Sequence, residues 1–336
     1  MVSERWQPTV RRARAGLVRL AGASPVVRRA FERAGRELTG AAEEARWGTD
    51  WRNEFYGARY FGEGRDASGD REGVSGYASY DRLSSNADVA GHLLWRTFSG
   101  ARRTLDVGCA TGYVVEVLRE LGVEAEGCDL SSYAVEHATT GAQGHLRVGD
   151  LLAGLPYAAG AFDVVSALET LEHLPPGHVP RALTEIARVC SGFVYATTPS
   201  FGPNLGGGPD GYLEGKVRPE RKAHYEALGP DYQGPVPYDD LARDAAGEPV
   251  EGHLTIASFG WWTARFAEAG LVRRPDVEAR IYADLVPTLA NTWDAYVLAA
   301  PGADEALAEA RESGRSLVEL GLKHPLYEVE TPGVAS

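Results

Sequence analysis

Four acidic residues follow short apolar segments in the middle of the chain, at spacings that could bring their carboxylates together. They are Asp106, Asp129, Asp150 and Glu169. The carboxyl ends of parallel strands line one crevice of a sheet, and ligands bind in that crevice. Several carboxylates there would repel a pyrophosphate but attract a sulfonium or an ammonium group. The pattern therefore indicates a site for a cationic ligand.

The segment TLDVGCATGYVVEVLREL (104–121) combines an apolar strand, a turn of small residues and an amphipathic helix. Glycines in such a turn let a ligand approach the backbone and the exposed amides of the helix start. Dinucleotides and S-adenosylmethionine both use this arrangement. The dinucleotide fingerprint GxGxxG is absent, because Gly108 and Gly112 are spaced GxxxG with Ala110 between them. The Gly-Lys-Ser/Thr sequence that ends a Walker A loop is also absent. Spacing and charge together favour S-adenosylmethionine over an oxidoreductase cofactor.

Strand-like and helical segments alternate from about residue 85 to 200. Such alternation predicts an α/β fold with a parallel sheet covered by helices on both faces. The predicted strands are 103–108, 123–130, 145–150, 162–168, 192–199, 277–284 and 294–300. The predicted helices are 86–98, 112–121, 131–139, 178–189, 259–271 and 303–322.

Four segments resemble, in order, the successive motifs of class I S-adenosylmethionine-dependent methyltransferases. They are LDVGCATG, GCDLS, VGDLLAGLPYAAGAFDVVSALETLEHL and GFVYATTP. The resemblance is greatest to the small-molecule branch typified by quinone and sugar methyltransferases, and it covers roughly 85–200 and 277–300. It implies a Rossmann-like, doubly wound, mostly parallel sheet of seven strands whose last strand, 294–300, runs antiparallel. It also implies an enzyme whose cofactor is S-adenosylmethionine.

The same resemblance implies a set of cofactor-binding residues. They are Asp106, Gly108, Ala110, Gly112, Asp129, Leu130, Asp150, Leu151, Leu168 and Glu169. The first four take the methionine part, the next four take the ribose and adenine, and the last two close the pocket. Tyr77 and Tyr80 precede the domain where related enzymes place a lid, and aromatic faces can hold a sulfonium. Core packing or loop anchoring explains these two tyrosines equally well.

Methyl transfer requires alignment of the acceptor, exclusion of water and, for an alcohol or phenol, removal of a proton. His173 follows the fourth predicted strand, where related sugar and quinone methyltransferases place a base. His253, at the far end of a long irregular segment, is the alternative. The segments SALETLEHL and ATTPSF offer no convincing set of metal ligands, so we expect no metal.

Charge is unevenly distributed along the chain. Residues 1–40 carry nine arginines and three glutamates, a net charge of +6, so the remainder carries −19 of the total of −13. An acidic body argues against a nucleic-acid partner, because phosphate binding needs clustered Lys and Arg. No segment has the roughly 20 apolar residues of a membrane-spanning helix. The three cysteines show no pairing pattern, so we expect free thiols and a cytoplasmic protein.

The sequence divides into four predicted parts. These are a basic helical extension (1–46), an aromatic helix with a cap or lid loop (47–84), a cofactor-binding domain (85–302) containing a substrate-lid insert (200–252), and a C-terminal helix and tail (303–336). For the basic extension we favour a helical hairpin packed on the body. Contact with an anionic membrane or a partner protein, or a role as a transit peptide, are alternatives. The oligomeric state is not indicated.

These patterns together predict a methyltransferase of a small molecule, most simply acting on an oxygen of a sugar or secondary metabolite. A nitrogen or carbon acceptor stays open, because the same fold serves both. A cofactor-binding partner protein without activity is a further alternative. The retained series of acidic positions argues against it.

Overall fold

A seven-stranded sheet organises the larger of the two units, 1–54 and 55–336, into which the chain divides. The structure is a computed structural model that describes residues 47–58, 60–61, 80–201, 213, 215–228, 234–244, 247–289, 294–310, 317 and 319–320. The predicted basic helices within 1–46 and Tyr77 lie outside the described residues. In the smaller unit, the rings of Trp47 and Trp51 meet edge to face at 6.4 Å.

The strands of this sheet are β1 Arg103–Val107, β2 Glu124–Asp129, β3 Leu146–Val148, β4 Phe162–Leu168, β5 Cys190–Thr197, β8 Val272–Arg273 and β9 Ala295–Ala299, while β6 and β7 form a separate pair described below. Their order in the sheet is β3-β2-β1-β4-β5-β9-β8. Strands β1 to β5 pair in parallel, whereas β9 pairs antiparallel with both β5 and β8. This Rossmann-like topology, with its antiparallel strand at 295–299, confirms the predicted fold class.

Helix α1 Thr49–Phe55 lies almost wholly in the smaller unit. The larger unit contains α2 Ala87–Thr97, α3 Tyr113–Glu120, α4 Ser132–Glu136, α5 Val179–Val189, α6 Pro219–Leu228, α7 Phe259–Glu268 and α8 Pro275–Leu289. Side chains alternate along each strand, so Phe193 and Tyr195 of β5 enter one buried cluster while Val194 and Ala196 enter the other. None of the described helices is long and apolar enough to cross a membrane. Cys109, Cys128 and Cys190 are free and buried, as expected.

The predicted strand at 277–284 is wrong. Residues 275–289 form helix α8, and the sixth strand of the sheet is the two-residue β8 just before it. The buried side chains of this segment are Val277, Glu278, Ile281 and Tyr282, which recur at the spacing of a helix face. Pro275 at the helix start and acidic residues in the first turn also favour a helix.

The irregular segment after Pro199 has a small core of its own. Strands β6 (Ser200–Phe201) and β7 (Ala257–Ser258) pair in parallel. A third buried cluster forms around them from Phe201, Leu213, Val217, Tyr225, Val236, Leu241 and Ile256. At the other end of the domain, the described part of the predicted helix 303–322 contains one 3-10 turn, Glu305–Ala308.

Candidate active site

The glycine turn after β1 has a backbone that side chains would distort. Gly108, Ala110 and Gly112 all have positive φ, at 74°, 49° and 88°. A Cβ on Gly108 would lie 2.3 Å from the Thr170 hydroxyl oxygen, and one on Gly112 would lie 2.7 Å from the Cβ of Ala142. Both glycines are therefore required by packing as well as by conformation.

Asp106 is buried inside β1, two residues before the turn. The Ser166 hydroxyl donates a hydrogen bond of 2.7 Å to its Oδ1. Burial raises the pKa of Asp106 to about 7, with a smaller contribution from Asp129 and a partial offset from Ser166. A cation bound beside this carboxyl would lower that pKa again, because it favours the charged form.

Asp129 ends β2 and fixes the turn. The amide of Ala110 donates to its Oδ2 at 2.8 Å, and the amide of Ser131 donates to its Oδ1 at 2.8 Å. Burial raises the pKa of Asp129, and these amides partly offset the increase. A carboxylate has about four acceptor sites, so both oxygens can accept further donors. Leu130, the next residue, is half-buried.

Asp150 and Leu151 follow β3 and lie beside the end of β2. The amide of Gly149 donates to the carbonyl of Asp129 at 2.8 Å, which brings the two strand ends together. Asp150 Oδ1 accepts from the amide of Leu152 at 2.9 Å, and Leu151 is buried. The carboxyl ends of β1, β2 and β3 thus share one edge of the sheet, as the sequence predicts.

Leu168 and Glu169 end β4 at the same edge. Glu169 has a φ of 47°, a conformation that is uncommon outside glycine. Its amide donates to the carbonyl of Thr197 at 3.0 Å and so connects the turn to β5. Strained backbone of this kind persists where the surrounding structure over-determines it, and it clusters at functional sites.

Four aromatic residues, Tyr56, Tyr60, Phe61 and Tyr80, form an aromatic cap next to the glycine turn. Successive rings contact edge to face, Tyr56 with Tyr60 at 4.8 Å, Tyr60 with Phe61 at 5.2 Å and Phe61 with Tyr80 at 5.3 Å. Tyr80 also contacts Tyr113, the first residue of α3, at 5.9 Å. The predicted Tyr80 is therefore at the turn, and sequence reasoning missed the role of Tyr56.

Tyr56 connects the cofactor side of the crevice to His173. Its carbonyl accepts from the Ser131 hydroxyl at 2.6 Å, and its own hydroxyl lies 2.8 Å from Nδ1 of His173. Nδ1 of His173 also lies 3.2 Å from the carbonyl of Gly252. Nδ1 can donate to the Gly252 carbonyl or accept from the Tyr56 hydroxyl, and the ring tautomer decides between the two.

The two histidines predicted as alternatives lie side by side. The ring centroids of His173 and His253 are 4.9 Å apart. Burial is the main cause that lowers the pKa of His173 to about 4. Burial, Lys216 and His173 lower the pKa of His253 well below its ordinary value. Both rings are neutral at neutral pH.

Sequence reasoning also missed Glu172, which lies next to His173 in the chain and near His253. The side chain is fully buried, and neither carboxyl oxygen has a hydrogen-bond partner among the described residues. Burial first, and then Glu169, raise its pKa well above the ordinary value, and the nearby Thr198 hydroxyl lowers it in part. Its Oε1 lies 4.0 Å from Nε2 of His253. This contact is between residues 81 positions apart in the sequence, so no local sequence pattern predicts it.

Residues 105–192 match the family model described as a methyltransferase domain. This match agrees with the resemblance of the sequence motifs to class I S-adenosylmethionine-dependent methyltransferases. The cofactor of this class is S-adenosylmethionine, and the residues present fit it. The turn has no room for side chains, and buried carboxyls at the crevice suit a cationic ligand.

Curated relatives include ubiquinone biosynthesis O-methyltransferases. That of Bordetella avium is 31% identical over 128 residues, 36% of this chain and 50% of the relative. That of Methylococcus capsulatus is 35% identical over 101 residues, 27% of this chain and 41% of the relative. The chain thus spans about half the length, or less, of the curated relatives it matches.

Solved structures that the chain matches include geranyl diphosphate C-methyltransferase from Streptomyces coelicolor. It has a TM-score of 0.39 and 16% identity, over 72% of this chain and 95% of that one. A methyltransferase in complex with the Haloferax volcanii Trm112 activator has a TM-score of 0.40 and 17% identity, over 64% of this chain and 90% of that one.

Proposed function

We propose that this protein transfers a methyl group from S-adenosylmethionine to a small molecule, at an oxygen of a sugar or secondary metabolite. One observation carries the proposal. A chain of hydrogen bonds runs from Asp129 through Ser131 and Tyr56 to His173. It holds a neutral histidine at a fixed place relative to the cofactor crevice.

In this proposal, different residues around the crevice bind different parts of the cofactor. Asp129 accepts from the ribose hydroxyls, and Leu130 covers one face of the adenine. Asp150 accepts from the adenine amino group, beside the amide of Leu151. The methionine part lies over the turn of Gly108, Ala110 and Gly112, with Asp106 compensating its amino group. Leu168, Glu169 and Tyr80 close the pocket, and the Tyr80 ring faces the sulfonium.

Bound S-adenosylmethionine supplies a methyl group on a positively charged sulfur. The protein aligns the acceptor and removes its proton. We propose that Nε2 of His173 accepts this proton from the substrate, with His253 as the alternative base. Both rings are neutral near pH 7, so each has a lone pair available. A group whose pKa lies well below the working pH is a weak base, and acceptors of low pKa, such as phenols, therefore suit it better than simple alcohols.

A methylation screen tests this function. Sugars, phenols, amines and carbon nucleophiles are offered with labelled S-adenosylmethionine, and product is counted for wild type and for His173→Ala. We expect label on an oxygen acceptor and a loss of about 100-fold or more in turnover for the variant, with S-adenosylhomocysteine still bound. Label found only on nitrogen or carbon would contradict the oxygen assignment. Cofactor binding without any transfer would favour a non-catalytic partner protein.

A further inference from the structure

A buried polar cluster lies at the edge of the sheet where β5 ends and β9 begins. Strand β9 runs antiparallel to β5, and Ala295 at its start pairs with Thr197 at the end of β5. The amide of Thr198 donates to the carbonyl of Asp294 at 3.4 Å. Asp294 therefore lies at the same edge of the sheet as Glu169, which follows β4.

The carboxyl group of Asp294 is bound through one of its two oxygens. Its residue is 3% exposed, and the amide and the hydroxyl of Ser200 both donate to Oδ2, at 3.2 and 2.6 Å. The Ser200 hydroxyl oxygen also lies 2.9 Å from the hydroxyl of Tyr296. Every hydrogen bond from this carboxyl to the residues that the structure describes reaches Oδ2. Because a carboxylate has about four acceptor sites, Oδ1 is available to a donor on a ligand.

Two buried hydroxyl groups at the same edge lack partners. Tyr195 and Thr198 are each 0% exposed, and neither hydroxyl oxygen makes a hydrogen bond in the described part of the chain. Burial first, and then Tyr282 and Glu169, raise the pKa of the Tyr195 hydroxyl. An unpaired buried polar group costs free energy, so these two hydroxyls beside an available carboxyl oxygen point to a bound polar group.

This cluster is next to the residues proposed to take part in methyl transfer. Burial, and to a smaller extent the Glu169 carboxyl, raise the pKa of Asp294 to about 7. The Thr198 hydroxyl is close enough to Glu172 to lower the pKa of that carboxyl in part. Oε1 of Glu172 lies 4.0 Å from Nε2 of His253. The cluster thus has neighbours both in the proposed cofactor pocket and beside the two candidate bases.

We propose that Asp294 and Thr198 bind a hydroxyl group of the acceptor other than the one that is methylated. A hydroxyl both donates and accepts hydrogen bonds, so it can donate to Oδ1 of Asp294 and accept from the Thr198 hydroxyl. An ammonium group could not accept, and the nearby Glu169 carboxyl disfavours an anionic group. The proposal rests on the proposed methyltransferase function and assigns Asp294 a role in selecting and aligning the acceptor.

A second fixed contact would orient the acceptor for the reaction. Methyl transfer is an in-line displacement that depends on how the acceptor oxygen is aligned with the methyl carbon. With its reacting oxygen at His173 and another hydroxyl at Asp294, the acceptor has two fixed contacts. Loss of the contact at Asp294 removes binding energy from the bound acceptor, so it should raise KM more than it lowers kcat.

The test compares acceptors that differ by one hydroxyl group, with the full-length protein. The pairs are catechol with phenol, and methyl glucopyranoside with its monodeoxy derivatives. We expect wild type to prefer the member with the additional hydroxyl by about tenfold or more in kcat/KM, the effect of one hydrogen bond to a charged group. Asp294→Asn should remove this preference, mainly through KM. The Ser200 amide can only donate, so the asparagine carbonyl takes the place of Oδ2 and its NH2 group replaces Oδ1.

Two further variants make the test specific. Thr198→Val removes the second polar group without changing its shape, and it should also reduce the preference. Asp163→Asn is the matched control, because the Asp163 carboxyl accepts from the amides of Arg102 and Arg103 at the opposite edge of the sheet. It should leave the preference unchanged. Thermal melting of each variant separates a lost contact from a lost fold.

Binding of the same acceptors to the complex with S-adenosylhomocysteine is measured by calorimetry. Methyl transfer without a preference for the additional hydroxyl, or with the same preference in Asp294→Asn and Thr198→Val, would overturn the inference and leave the proposed function standing. A preference for amines over hydroxyls would also overturn it. A hydroxyl preference in binding that depends on Asp294, without methyl transfer to any oxygen, would refute the proposed function and support the binding site. Neither binding nor transfer would refute both.

Discussion

Asp106 provides a quantitative test of whether the acidic crevice binds a cationic ligand. Burial raises the pKa of its carboxyl to about 7, so at pH 6.5 it is about three-quarters protonated. A bound ligand whose ammonium group lies nearby favours the carboxylate and lowers that pKa. If the pKa falls below about 5, binding at pH 6.5 releases roughly 0.7 proton per ligand, and at pH 8.5 almost none. Affinity should therefore increase from pH 6 to pH 8.

Calorimetry with S-adenosylhomocysteine measures this release directly. Titrations at pH 6.5 in buffers of different ionisation enthalpy give the number of protons released. Asp106→Asn should abolish that release. Asp294→Asn is the matched control, because burial also raises the pKa of Asp294 to about 7 at a different strand end. Binding without proton release in wild type, or unchanged release in Asp106→Asn, would refute the reasoning.

Three further predictions concern stability and positioning. Gly108→Ala should destabilise the fold by more than about 2 kcal/mol, because backbone strain at positive φ adds to a clash. Gly122→Ala, which has similar φ strain but no described atom within 4 Å of the new Cβ, should cost only about 1 kcal/mol. Equal melting temperatures of the two variants would contradict this prediction. The pKa of Asp294 is about 7 when folded and near 4 when unfolded, so the folded state binds more protons between those values and stability falls as pH rises from 4 to 7. Asp294→Asn should remove the contribution of Asp294 to that slope, leaving that of Asp106, and stabilise the protein at pH 7 by on the order of 4 kcal/mol, as checked by denaturant titration at both pH values. Tyr56→Phe removes the hydroxyl that lies 2.8 Å from His173 and should lower turnover with little change in cofactor affinity; a change in affinity alone would argue against a positioning role.

The strands and the glycine turn around the proposed cofactor site were predicted well from the sequence, because neighbouring residues define them. Apolar residues recur in β1 and β4, and Gly108 and Gly112 mark the turn that their positive φ requires. Asp129 and Glu169 lie at or just after strand ends, so their common edge followed from the parallel topology alone. Each of these features is encoded within about ten neighbouring residues.

The helix that contains residues 277–284 and the surroundings of His173 and His253 could not be predicted in the same way. Residues 277–284 contain valine, isoleucine and tyrosine, which suit a strand or one face of a helix, and only packing distinguishes the two. The contacts of Tyr56 with His173, and of His253 with Glu172, join positions 117 and 81 residues apart. Backbone hydrogen bonds from Leu254 and Thr255 to the carbonyl of Glu172 accompany the second of these contacts. Composition describes the 200–252 segment only as irregular.

The most direct test of the central claim is equilibrium binding of S-adenosylhomocysteine and NADH to wild type and Asp129→Asn. The account predicts one S-adenosylhomocysteine per chain, no measurable NADH, and an affinity about tenfold or more weaker in the variant, because one ribose hydroxyl loses its acceptor. Binding of NADH in place of S-adenosylhomocysteine, or an unchanged affinity in a variant that melts like wild type, would contradict it.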